Sequence, residues 1–141
     1  SDVEQHRLVR QARLLETTTK DVQRVRFAAA RALSDRYACV VVLKGGGTLV
    51  MSAHETPRVI AAGNPGMAVG GMGDVLSGVI AALRAQGMNA FDAAACGALL
   101  HSAAGDAAAH DGGERGMLPS DLTPWLRHFS NPPSNCREPM Q

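Results

Sequence analysis

Residues 63–78, GNPGMAVGGMGDVLSG, constrain the fold more than any other stretch, because they set closely spaced glycines and one carboxylate immediately ahead of a helical repeat. Gly70, Gly71 and Gly73 lift the Cβ restriction on the backbone, so the main chain can take positive φ and approach a ligand closely. Val75, Leu76, Val79, Ile80 and Leu83 then recur at three- and four-residue steps, the period of one apolar helix face. The spacing predicts a helix that starts near residues 72–74. The first amides of a helix have no intrahelical partner and lie at the positive end of its dipole, which suits them to a phosphate. Asp74 falls in that first turn, and two roles fit it. One is an N-cap or first-turn acid that stabilises the dipole by about 0.3–1 kcal/mol. The other is a group that takes or orients the proton of a substrate hydroxyl while the amides hold a transferred phosphoryl group.

A second glycine-rich string lies upstream. Residues 38–43, ACVVVL, form a continuous β-branched apolar run, as in a buried strand of a parallel sheet. The run ends in Lys44, Gly45, Gly46, Gly47 and Thr48, and the carboxyl end of a strand is where α/β sheets bind ligands. There the glycine amides can approach phosphates, Lys44 supplies a point charge and Thr48 a hydroxyl. A flexible hairpin turn with an exposed lysine fits the same residues. The string is not a Walker A loop, since no G-K-[ST] closes it.

The remaining elements read around these two strings. Residues 1–16 carry apolar positions for a helix with a mixed polar face, ending near Glu16. Thr18 with Asp21 makes a helix-start pattern, and Val22, Val25, Ala29, Ala32 and Leu33 continue one face, which predicts a helix over 19–36. Arg24, Arg26, Arg31 and Arg36 fall mostly on its other face, either solvated or steering an anionic nucleotide. Residues 49–52 and 58–62 read as strands around a turn near 54–57. Gly87 marks the end of the Asp74 helix. Residues 90–110 form a long helix of small residues, broken by Gly112 and Gly113. His101 and Asp106, with His110, Asp111 and Glu114, are metal-ligand types, but the five-residue spacing does not put the first two on one face. Polar residues in a close packing layer fit better, and no metal site is expected. Ser120 is suited to cap a last helix through Phe129. The tail from Asn131 has adjacent prolines and little apolar content, which predicts disorder.

Composition narrows the class. In 141 residues, 45% hydrophobic and 19% charged, there is enough apolar surface for one soluble domain. A net charge of +1 with scattered Arg and Lys gives no footprint for nucleic acid or an anionic membrane. No apolar run reaches membrane-spanning length and SDVEQHRL lacks a signal-peptide core, so a cytoplasmic protein is expected. Cys39, Cys96 and Cys136 form no C-x-x-C, which argues against a disulfide framework or zinc site. Cys39 and Cys96 read as small core residues.

The string at 63–78 is similar, nearly residue for residue, to the GNPGMATGGMGDVLTG signature of the ribokinase-like NAD(P)H-hydrate dehydratases. Val69 stands where that family usually has Thr or Ser. The resemblance extends over roughly residues 12–129: KGGGT matches the family's K-G-x-x-T segment, LLHSAAGD its L-H-x-x-A-G-D, and ERGMLPSDL its G-L-x-A-S-D-L. It implies an α/β fold, a ribokinase-like α/β/α sandwich present as its C-terminal part over residues 1–130, with 1–11 poorly matched and 131–141 a tail. It also implies that Gly71, Met72 and Gly73 line an anion hole for ADP or ATP, with Asn64 and Gly70 in the same loop. Lys44, Gly45, Gly46, Gly47 and Thr48 would contribute to the nucleotide site, and Asp74 would be both catalytic and substrate-binding.

The implied reaction is repair of hydrated NADH or NADPH with ADP or ATP and Mg²⁺, through phosphorylation of the hydrate hydroxyl and loss of phosphate. The family's TPHPGE motif is absent before ARLL, where QHRLVRQ stands instead, so His6 takes no substrate role from the resemblance. Because only part of the sandwich is matched, the sheet is expected to expose an edge and an apolar face, which predicts association into a homo-oligomer or with a further segment. A small-molecule kinase of the same superfamily and a non-catalytic nucleotide-binding module are the two alternatives.

Overall fold

The structure, a computed structural model, describes residues 19–131. The expectations for the N-terminal helix, His6, Cys136 and the tail beyond Asn131 lie outside the described residues. The chain divides into two compact units, Ser1–Val59 and Ile60–Gln141.

In the first unit, helix α1 (Thr19–Tyr37) precedes strands β1 (Val41–Leu43), β2 (Thr48–Met51) and β3 (Arg58–Ile60, whose last residue begins the second unit), which form a sheet in the order β1-β2-β3. The central strand β2 is buried at all four positions, whereas β1 is half-buried throughout. The parallel, buried strand expected at 38–43 is thus corrected in two respects. β1 pairs with β2 antiparallel, with Val41 opposite Met51 and Leu43 opposite Leu49. The link of residues 44–47 is too short for the crossover that parallel strands require, and Gly47 at φ 80° makes it a hairpin turn. Ala30 of α1 packs with Leu49 and Met51, flanked by Val41 and Leu43, to form this unit's core.

The second unit is helical. A 3₁₀ turn at Pro65–Met67 leads to α2 (Met72–Ala85), α3 (Ala90–Gly112), a second 3₁₀ turn at Pro119–Asp121 and α4 (Leu122–Phe129). Asn89 caps α3 by accepting from the Asp92 N–H at 2.9 Å. α2 ends in a Schellman motif, with the Gly87 N–H donating to Arg84 C=O and the Met88 N–H to Leu83 C=O. Buried residues run around α3 rather than along one stripe, including Ala93, Ala94 and Ala95 in succession, because α2 and α4 both pack on it. Only small side chains permit that. Met72, Ala104, Ala108, Met117 and Leu122 form the core, with Met67, Trp125 and Leu126 against it.

Three further expectations change. Ser120 does not cap the last helix; it lies inside the second 3₁₀ turn, where Asp121 accepts from the Leu118 N–H at 2.8 Å. Cys39 and Cys96 are both exposed rather than core residues. Cys39 follows the end of α1 before β1 begins, and Cys96 shares the outward side of α3 with Asp92 and Leu99.

The closeness of α2 and α3 is testable at Gly97, where a Cβ would fall 2.6 Å from Ile80 Cγ1. Gly97→Ala is expected to lose about 1–3 kcal/mol in chemical denaturation. Helix propensity alone would give a gain of about 1 kcal/mol, so the sign decides.

Candidate anion-binding site

The glycine-rich string builds the N-terminus of α2. Gly71 is the N-cap, held at φ 89°, a left-handed conformation that a side chain would strain by about 1–2 kcal/mol. The Asp74 and Val75 N–H groups both donate to Gly71 C=O at 3.1 Å, and among the described residues the amides of Met72 and Gly73 donate to no backbone group. Met72 has no exposed surface, so its side chain anchors the loop in the core. Gly70, Gly71 and Gly73 are exposed, and a Cβ built on Gly70 or Gly73 would meet nothing within 4 Å. Backbone therefore borders open space at the positive end of the α2 dipole. These residues fit an anionic group such as a nucleotide phosphate.

Asp74 is exposed in the first turn. Gly71 occupies the cap and accepts no side-chain help, and the Asp74 carboxylate makes no hydrogen bond or ion pair among the described residues. That removes the N-cap from the first of the two readings of this acid and leaves its dipole-stabilising place in the first turn beside the second reading. What remains is an unpartnered carboxylate beside orphan amides.

Helix α3 holds both ends of the loop, a feature that sequence spacing did not show. The Asp106 carboxylate accepts from the Gly63 N–H through Oδ2 and from Asn64 Nδ2 through Oδ1, each at 2.9 Å. Asn64 Oδ1 in turn accepts from the Gly66 N–H at 3.1 Å and caps the 3₁₀ turn. At the other end the buried His101 donates from Nε2 to Met72 C=O at 2.9 Å. His101 and Asp106 thus serve the packing layer expected of them. Among the described residues no three His, Cys, Asp or Glu side chains converge to hold a metal.

In the first unit, the KGGGT string is the β1–β2 hairpin. Arg26, placed by its spacing on a charged helix face, is instead buried with its guanidinium under this turn. It donates to Leu43 C=O at 3.1 Å, Gly46 C=O at 3.0 Å and Gly47 C=O at 2.7 Å, and Gln23 Nε2 also reaches Gly46 C=O. Since C=O and N–H point oppositely across a planar trans peptide, the amides of Lys44, Gly47 and Thr48 are aimed away from the guanidinium. Burial lowers the pKa of Arg26 by desolvation, and the carbonyl acceptors offset that cost. Lys44, Gly45 and Gly46 are exposed, whereas Thr48 is buried as the first residue of β2. The other arginines behave differently: Arg24 pairs with Asp21 in solvent, Arg31 donates to Ser52 C=O and Arg36 lies over the Tyr37 ring.

A cavity of about 400 Å³ opens where α3 and α4 end and begin, lined by Asp111, Arg115, Met117, Asp121 and Trp125 among others. None of the residues singled out by the glycine-rich strings lines it.

Fold and loop together define a class, the ribokinase-like α/β proteins, represented here by part of the fold. The ADP/ATP-dependent NAD(P)H-hydrate dehydratase from Bacillus subtilis, co-crystallized with ATP/Mg²⁺, superposes with a TM-score of 0.71 at 23% identity, over 84% of this chain and 43% of that one. The chain belongs to the NAD(P)H-hydrate dehydratase family, whose model matches residues 3–127. A bifunctional NAD(P)H-hydrate repair enzyme of Coxiella burnetii is 50% identical over 121 residues, 86% of this chain and 25% of that protein. An ADP-dependent (S)-NAD(P)H-hydrate dehydratase of Neisseria meningitidis is 45% identical over 121 residues, 83% of this chain and 41% of that protein. The chain thus spans well under half the length of these relatives.

The Arg26 arrangement predicts that Arg26→Ala loses about 1.5–3 kcal/mol of stability, the range for hydrogen bonds to a charged group. Arg26→Lys should recover only part of it, because an ammonium cannot fork to separate carbonyls. Urea denaturation of both variants checks this, and equal stability of the lysine variant and wild type would contradict it.

Proposed function

We propose that this chain supplies the phosphate-holding loop and the acid of a site that dehydrates hydrated NADH or NADPH at the expense of ADP or ATP. The observation that carries the reading is the exposed, glycine-bordered N-terminus of α2, with Asp74, unpartnered among the described residues, in its first turn. Membership of the dehydratase family supports the substrate, and the nucleotide dependence in the relatives' names supports the cofactor.

In this proposal the nucleotide supplies the transferable phosphoryl group, with Mg²⁺ carried on its phosphates. The amides of Gly71, Met72 and Gly73 stabilise the negative charge that develops on the transferred group. Gly70 leaves room for its approach, and Asn64 contributes by shaping the loop. Asp74 accepts the proton of the hydrate's hydroxyl as that oxygen bonds to phosphorus and the bond from phosphorus to the nucleotide's leaving oxygen breaks. Inorganic phosphate then departs with the electrons of its C–O bond and a proton leaves the neighbouring carbon, which restores the nicotinamide double bond. Lys44, Gly45, Gly46, Gly47 and Thr48 add nucleotide contacts through outward amides and the Lys44 ammonium. The sandwich part is assigned to residues 1–130. The protein works in the cytoplasm, and a second copy or a further part of the fold satisfies the outer strands of the sheet.

Titration calorimetry with ADP, AMP and ATP in Mg²⁺ tests the reading. Saturable binding is expected, weakened about tenfold or more by Gly73→Val, which fills the open space, and by Lys44→Ala, which removes a point charge. Asp74→Asn should bind nucleotide at least as tightly as wild type, since it removes a carboxylate near phosphate. In a preparation that turns over hydrate it should lose roughly 10²-fold or more in rate. A folded wild-type sample that binds no adenine nucleotide would overturn the proposal.

A further inference from the structure

We propose that Asp106 is a positioning residue that sets the shape of the phosphate-holding loop, acting through Asn64, and that the pair works as one hydrogen-bonded unit. The inference rests on the loop's role in the reading above. The loop of residues 63–72 is fastened to α3 at its start by Asp106 and at its end by His101. Those two residues lie about 7.5 Å apart along the helix axis. Between them the loop has little freedom. A Cβ on Gly66 would fall 2.6 Å from Glu114 C=O, and one on Gly105 would run into the Met67 side chain.

The chemistry at position 106 is specific. One carboxylate faces two donors, the Gly63 N–H and Asn64 Nδ2, while the other end of the Asn64 amide accepts from the Gly66 N–H. The amide orientation of Asn64 is therefore fixed by its partners. No cation pairs with Asp106 among the described residues. An unneutralised carboxylate next to a loop that receives an anion is electrostatically unfavourable. Its place there is accounted for by what a neutral amide cannot do, which is to offer a separate acceptor oxygen to each donor.

That logic gives an exchange test. In Asp106→Asn one oxygen still accepts from Gly63, but the new NH₂ faces the Asn64 NH₂. In Asn64→Asp two carboxylates face each other. In the double variant Asn64→Asp/Asp106→Asn all three bonds are restored, with donor and acceptor swapped only between positions 64 and 106: the new amide at 106 donates to the carboxylate at 64, which still accepts from the Gly66 N–H, and the amide's oxygen still accepts from the Gly63 N–H.

The expected result is that each single variant speeds amide hydrogen exchange in residues 63–72 by about tenfold or more and weakens ADP binding similarly. The double variant should return both to within about threefold of wild type. Recovery in the double variant supports the unit even if a single variant unfolds. Single variants that exchange and bind like wild type would overturn the proposal, as would a double variant no better than the worse single. If wild type binds no ADP, the functional reading fails, and the exchange data alone still decide the role of Asp106.

Discussion

The second unit depends on a helix whose first amides, of Met72 and Gly73, lack partners among the described residues. An N-terminal amide left without a side-chain cap is normally a cost, met by Ser, Thr, Asp or Asn. Here Gly71 occupies the cap, Asp74 is present but turned to no backbone donor, and the glycines on either side expose main chain. The uncapped end holds its place because Met72 is locked in the core and α3 fastens the loop at both ends. Rigidity comes from one helix and exposure from the other. A preorganised ring of donors requires both, since amides that must reorganise during reaction stabilise developing charge less well.

The same principle recurs in a different form in the first unit. A hairpin turn of residues 44–47 is too short and glycine-rich to hold a shape by itself. Arg26 gathers the carbonyls of Gly46 and Gly47 in the turn and of Leu43 just before it, and planar peptides do the rest. In both units a charged group is placed to orient backbone, a carboxylate collecting N–H groups in one case and a guanidinium collecting C=O groups in the other.

Much of this was legible in the sequence. The helical repeat after Asp74, the small-residue helix expected over 90–110 and the stop at Gly87 follow from periodicity and terminator chemistry, and each stands in the structure, the second running on to Gly112. The failures are physical too. A run of β-branched residues reports burial but not strand direction, so β1 was expected to be parallel, although its four-residue link decided otherwise. Arg26 sits at a helix position that reads as solvated, and only the fold of the hairpin buries it. Cys39 and Cys96 have the volume of core residues, but Cys39 lies in the link between α1 and β1 and Cys96 on the outward side of α3. The bonds of Asp106 to Gly63 and Asn64 span more than forty positions, beyond the reach of any local pattern. The family signature marked LLHSAAGD without saying what its polar residues touch.

The central claim is that an anionic nucleotide is received by the exposed backbone at the start of α2. Amide chemical-shift mapping during titration of the chain with ADP and Mg²⁺ tests this most directly. The account predicts that the largest changes fall on the amides of Gly70, Gly71, Met72 and Gly73. Changes centred on Arg115 and Trp125 in the cavity beside α4, with the glycine amides unmoved, would contradict it.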